Sequence, residues 1–162
     1  MKKAAALSVT VLIFLLCSCS ITETEQRICV NRIFTSKIEI QYNETAYTAD
    51  FTSFENGCSA VFLSPECLKK FGVAVKGEEI TYSLENISFS AQCTPEQILP
   101  VQAIYHAIKA TPQSAAENEE GYTLCGTTKY GSYVMNIDKK TFTPNFIEYE
   151  GTGITVKFEN IT

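Results

Sequence analysis

The chain of 162 residues has no tryptophan, one histidine and two methionines. A single imidazole, His106, cannot supply the His and Cys clusters that hold zinc, and no Cys-x-x-Cys spacing accompanies it. No metal site or cofactor is expected. Basic residues are also scarce: 13 Lys and Arg face 18 Asp and Glu, a net charge of -5. Loss of Lys2 and Lys3 with an N-terminal leader would take this to about -7, leaving no basic surface for nucleic acid. Long apolar runs are missing too. The longest, Ala4 to Leu16, falls short of the ~20 residues a bilayer-spanning helix needs. With 45% hydrophobic and 19% charged residues, ten Phe and eight Tyr, the chain is suited to one packed domain rather than disorder.

Lys2, Lys3 and the apolar run have the layout of a secretory signal. The run closes on Leu16-Cys17-Ser18-Cys19, which resembles the lipobox of bacterial lipoproteins. That resemblance makes Cys19 the lipid-attachment residue, carrying a diacylglyceryl group and becoming the first residue after cleavage. Cys17 is the weaker candidate, because Leu16 stands where a small residue is usual. One acyl chain anchors a protein only reversibly, whereas two or three hold it firmly at about 0.8 kcal/mol per buried methylene. The expected division is a signal peptide over 1–18, an anchor and tether over 19–32, and one domain over 33–162. The expected location is the extracytoplasmic face of a bacterial cell membrane.

Beyond the anchor five cysteines remain, Cys29, Cys58, Cys67, Cys93 and Cys125. An odd number leaves at least one free thiol, and spacing does not give the connectivity. Cys58 with Cys67 or Cys93 is the first pairing to examine.

From Phe34 the pattern has period two, with Phe34, Ile38, Ile40 and Tyr42 on one face. A tight turn at Asn43-Glu44 predicts that Ile40 lies opposite Tyr47 and Ile38 opposite Ala49. Cys58 to Leu63 is apolar on both faces and reads as a central strand. Ser64-Pro65-Glu66 reads as a helix start with Ser64 as cap. A second hairpin matches Ile80, Tyr82 and Leu84 to Ala91, Phe89 and Ile87 across Glu85-Asn86.

Thr94-Pro95-Glu96-Gln97 is a capping box with proline at the first helical position. Ile98, Val101, Ile104, Tyr105 and Ile108 follow at helical spacing, a stripe that lies across the sheet. His106 projects away from this stripe and is expected on the polar face. Thr111 to Glu120 reads as an acidic loop. Tyr122 and Leu124 are then expected to pair with Met135 and Tyr133 around a Thr128-Lys129 turn. Asp138 to Thr141 turns the chain again, and Ile147 and Tyr149 face Ile154 and Val156 across Gly151-Thr152.

No catalytic constellation emerges. The chain reads as mainly β (α+β): an incomplete antiparallel β-barrel or curved sheet with a helix packed across its concave face. Such a sheet and helix either enclose an apolar cavity suited to an acyl chain or form an ordinary packed core from the same residues. The cavity candidates are Ile98, Val101, Ile104, Tyr105 and Ile108 of the helix, with Ile40, Tyr47, Tyr82 and Phe89 of the sheet.

The opening run Phe34-Thr35-Ser36-Lys37-Ile38-Glu39-Ile40, the late helix after Thr94, and the final Asp138-Lys139-Lys140-Thr141, Pro144 and Ile147 stretch together resemble the LolA/LolB-like lipoprotein-carrier fold, in a small bacterial lipoprotein of clostridial type. The lid-contacting arginine of true carriers has no assignable counterpart. That superfamily includes soluble carriers, anchored acceptors of lipoproteins, anchored glycolipid binders and small clostridial lipoproteins, one acting in spore germination through a cell-wall amidase. The resemblance implies a membrane-anchored, non-enzymatic protein binding an apolar ligand, a lipid or the acyl chains of a lipoprotein. The alternative it implies is a non-catalytic scaffold that positions an envelope or cell-wall enzyme as its protein partner.

Overall fold

A computed structural model describes residues 28–91 and 99–162. The leader, Cys19, Cys93, the capping box and Ile98 lie outside the described residues. Eleven strands form one antiparallel sheet: β1 (Phe34–Tyr42), β2 (Thr45–Phe54), β3 (Gly57–Ser64), β4 (Phe71–Lys76), β5 (Glu79–Leu84), β6 (Ile87–Ala91), β7 (Ser114–Glu117), β8 (Gly121–Thr128), β9 (Gly131–Asp138), β10 (Pro144–Tyr149) and β11 (Ile154–Glu159). A 3-10 turn at Glu66–Leu68 follows β3, and the helix α1 (Leu99–Lys109) stands between β6 and β7.

The strand order is β6-β5-β4-β3-β2-β1-β11-β10-β9-β8-β7. The fold is therefore two meanders, β1 to β6 and β7 to β11, zipped along β1 and β11, where Ile38 faces Phe158 and Ile40 faces Val156. The edge strands β6 and β7 are consecutive in the chain, so their connection must cross from one sheet edge to the other. α1 lies on that crossing and packs on β3, β4, β8 and β10, strands from both wings. Strand twist makes this possible, because neighbouring strands rotate by ~20° each and eleven of them curl far enough to wrap a helix.

β1 alternates buried and exposed along its whole length. The turn after it puts Asn43 and Glu44 at φ 46° and 62°, the paired left-handed geometry of a two-residue hairpin. That turn sets Ile40 opposite Tyr47 and Ile38 opposite Ala49, as the pattern predicts. The β5–β6 register, Ile80 to Ala91 and Tyr82 to Phe89, also agrees with the sequence reading, as does Ile147 to Val156 with Tyr149 to Ile154. On the solvent face of the central pair, Lys37 sits opposite Glu159 and Glu39 opposite Lys157, which favours this register electrostatically.

Several expectations are corrected. β8 pairs with β9 two residues away from the expected register, with Tyr122 facing Ile137 and Leu124 facing Met135, because the turn is Lys129-Tyr130. An even slip keeps the same side chains inside, so alternation alone cannot detect it. The expected helix after Ser64 is only the three-residue 3-10 turn, with no side-chain cap. Ser64 is occupied elsewhere: its Oγ accepts from Thr48 N at 3.1 Å and lies 2.8 Å from Thr48 Oγ1. β3 does not bury both faces, since Val61 and Leu63 are exposed on its outer side. The acidic loop contains β7, a four-residue edge strand with every residue exposed.

Ile28 and Val30, within the expected tether, already pack on the core, and Asn31 N donates to Phe142 O at 2.8 Å. No helix among the described residues is long and apolar enough to cross a membrane.

Candidate ligand-binding site

The inner face begins with β-strand alternation. Ile38, Ile40, Tyr47, Ala49, Phe51, Ala60, Phe62, Val73, Val75, Ile80 and Tyr82 from the first meander are all buried. Leu124, Tyr133, Met135, Ile137, Ile147, Tyr149, Ile154 and Val156 from the second complete one continuous core. Into it α1 inserts Val101, Ile104 and Ile108, each worth about 1.5 to 3 kcal/mol on full burial. The helix is buried over more than its predicted stripe, because Gln102, Ala103 and Ala107 are covered as well. A helix held between two wings of a sheet loses its solvent face.

Polar groups tie α1 to both wings. On the β8–β10 side, Tyr149 Oη donates to Ala103 O at 2.9 Å, and Tyr130 Oη donates to Gln102 Oε1 at 3.0 Å. On the β3–β4 side, Cys58 Sγ donates to Val101 O at 3.9 Å, and Gly77 N donates to Tyr105 Oη at 3.2 Å. Burial pushes the Tyr149 hydroxyl and the Cys58 thiol well above their ordinary pKa values, so both remain neutral donors.

His106 departs from expectation. Its Nε2 is buried without a hydrogen-bond partner, and its ring lies against Tyr105 and Tyr130, at centroid distances of 5.2 and 5.4 Å. Desolvation, reinforced by the positive charge of Lys129 and opposed by Glu78, holds its pKa below 6.5. The half-buried ring is partly covered by Tyr130 of the β8–β9 turn, a contact that a helical projection does not contain.

Seven of the nine cavity candidates meet in this core: Val101, Ile104, Tyr105, Ile108, Ile40, Tyr47 and Tyr82. Their exposures run from 0% at Val101 and Ile104 to 7% at Tyr105. Ile98 lies outside the described residues. Phe89 is 52% exposed. It belongs to a rim that the sequence reading did not assemble, made of inner-face residues of β4, β5 and β6. There Phe71 pairs with Leu84, Leu84 pairs with Ile87, and the Tyr82 ring bridges Phe71 and Phe89 at 6.0 and 5.3 Å. Leu84 is 48% and Ile87 69% exposed, although both continue the rows that bury Ile80 and Tyr82. The apolar inner face thus runs past the helix and out to the β6 edge. Its signal in the sequence was the unbroken apolar alternation of Ile80, Tyr82, Leu84 and Ile87, Phe89.

Among the described residues, no three of His, Cys, Asp and Glu converge as a metal site. The pairing of Cys58 with Cys67 is corrected: Cys58 is a buried free thiol, and Cys67 is exposed and free.

No family model and no curated protein matches this chain. Among solved structures, it is similar to an uncharacterized conserved protein from Thermus thermophilus, at 12% identity and a TM-score of 0.50, over 85% of this chain and 81% of that one. A LolA superfamily protein from Nitrosomonas europaea is similar at 10% identity and a TM-score of 0.46, over 84% and 88%. One chain of a structure of the CwlD amidase from Clostridioides difficile in complex with the GerS lipoprotein is similar at 16% identity and a TM-score of 0.47, over 78% and 84%. At these identities the likeness is one of fold.

Proposed function

We propose that this chain is an extracytoplasmic binding protein, tethered to a bacterial membrane through Cys19, that takes an apolar ligand between sheet and helix. The ligand class is a lipid or the acyl chains of a lipoprotein. The observation that carries this reading is the rim of Phe71, Leu84, Ile87 and Phe89, where the inner apolar face emerges uncovered and continuous with the core. An acyl chain laid on this rim would replace water along contiguous apolar surface at about 25 cal/mol per Å². Deeper entry requires α1 to move outward, because Val101, Ile104 and Ile108 fill the interior between the wings. The leader supports the location: a lipobox ending in Cys19 would hold the domain close to the bilayer, the source of such chains.

The test is titration of the full-length chain with a fluorescent fatty acid. Saturable binding is expected, with at least tenfold weakening in the Ile87→Glu, Phe89→Glu double variant. Both side chains are exposed, so the variant should keep its native melting temperature. No binding by the unaltered chain would sink the carrier reading and favour the non-catalytic scaffold that positions an envelope enzyme.

A further inference from the structure

The outer face carries a second concavity, unrelated to the apolar interior. β10 is bulged: Pro144 faces Ile137 and Phe146 faces Asn136, so Asn145 is an extra residue with no partner across the β9 ladder. A regular strand sends consecutive residues to opposite faces, but the bulge lets Asn145 and Phe146 line one depression together. That depression has a volume of about 370 Å³ and is bordered also by Asn118, Asn136, Lys157 and Glu159.

The amides are held in place. Asn118 Oδ1 accepts from Glu120 N and Gly121 N at 3.0 and 2.9 Å. Its Nδ2 donates to Thr123 Oγ1 at 3.2 Å, and Thr123 Oγ1 donates to Asn136 Oδ1 at 3.0 Å. The chain of bonds fixes the Asn136 amide and leaves its Nδ2 to donate. Glu120 and Glu159 against Lys157 leave the lining slightly acidic, which disfavours phosphate and other anions. The lining thus combines side-chain amides, each able to donate and accept, one ammonium, two carboxylates and the half-buried ring of Phe146.

That combination matches a neutral sugar, whose hydroxyl groups both donate and accept and whose ring presents an apolar C–H face to an aromatic side chain. We propose that this bulged depression between β8 and β11 is a binding site for a neutral saccharide, one or two pyranose rings in size, seated on Phe146 and hydrogen-bonded by Asn136 and Asn145. The amides favour an N-acetylated sugar, because its amide pairs with theirs. Pre-ordering of Asn118 and Asn136 lowers the entropy lost on binding.

The experiment is titration of the full-length chain with the disaccharide of N-acetylglucosamine, followed through the side-chain amide NMR signals of Asn136 and Asn145. Saturable shifts confined to these groups are expected. Phe146→Ala and Asn145→Ala should each weaken binding by about threefold to tenfold, the range of one lost hydrogen bond or ring contact. Both positions keep exposed surface, and an unchanged melting temperature is the check that each variant is folded. Ile87→Glu, on the opposite face, should leave sugar binding unaltered, which separates this site from the apolar rim. Shifts that never saturate, or an affinity in the Phe146→Ala and Asn145→Ala variants unchanged from that of the unaltered chain, would overturn the assignment.

Discussion

Lys129 Nζ lies 2.6 Å from Glu78 Oε2, joining the β8–β9 turn to the β4–β5 turn across 51 residues of chain. The contact records how far the sheet has curled. Turns from opposite wings meet beside His106 and Tyr130, and α1 is enclosed beneath them. Each partner stabilises the charge of the other, lowering the Glu78 pKa and raising that of Lys129.

This pair bridges the two turns beside α1 but does not hold the fold. Both side chains are largely exposed, and such pairs contribute little and are screened by salt. A double-mutant cycle with Glu78→Ala and Lys129→Ala should give a small coupling at low salt that disappears in molar sodium chloride. A coupling that survives high salt would mean the pair is better shielded from water than its exposure indicates.

His106 should make stability fall in mild acid. Partial burial holds its folded-state pKa below the ordinary value of 6.5, with Lys129 adding to this and Glu78 opposing it, while Tyr105 and Tyr130 pack against the ring. The unfolded chain therefore binds a proton first. The neutral imidazole's contribution is complete above about pH 6.5 and is lost as pH falls from there through the lower folded value. Urea titrations between pH 7.5 and 5 should show this slope, and His106→Phe should flatten it.

Tyr149→Phe should cost about 1 to 2 kcal/mol. The hydroxyl donates to Ala103 O, so Thr128 Oγ1, at 3.1 Å, is left to donate to it. Removing it loses one tie between α1 and β10 and strands the Thr128 donor. Denaturant melts measure the loss, and native-state amide exchange should rise first along Leu99–Lys109.

Gly126→Ala should destabilise by about 1 to 3 kcal/mol through overpacking. A Cβ there would fall 2.7 Å from Tyr133 Oη and 2.8 Å from its Cε1, in a ring fully enclosed by the core. A companion Tyr133→Leu change should recover part of the loss in a thermal melt. No recovery would place the cause in the β8 backbone instead.

The thiols should divide by burial. Cys29 and Cys67 are exposed, whereas Cys58 is buried with its thiol pKa pushed far up by desolvation. A thiol reagent at pH 8 should modify the first two in the native protein and reach Cys58 only on unfolding. Rapid native labelling of Cys58 would show that α1 opens readily, since the thiol donates to Val101 O.

How much of this was legible in advance depends on the reach of each contact. The β1–β2 and β5–β6 registers could be read because a two-residue turn and a period-two pattern each demand the same pairing, and both signals are local. The β8–β9 turn carries no Asn-Gly or Gly-Gly marker, so two registers of equal burial competed, and packing chose the one that brings Tyr130 to Gln102. The interior candidates followed from helical spacing in α1 and from period-two alternation in β1, β2 and β5. The rim escaped notice because exposure of Leu84 and Ile87 depends on where α1 stops covering the sheet. The outer depression rests on a bulge, which changes a strand by one residue and leaves little trace in composition.

The sequence by itself determined the mainly β character, the inner face of most strands and the helix that interrupts them. All of these depend on residues within a few positions of one another. Only the tertiary structure decided that β1 and β11 zip two meanders together, that the crossing from β6 to β7 draws α1 between the wings, and that the His106 ring is half covered by Tyr130. The same level decided which apolar residues stay uncovered. Those outcomes come from accumulated strand twist and from pairing between distant segments, quantities that add up over the whole sheet and are written in no single stretch of it.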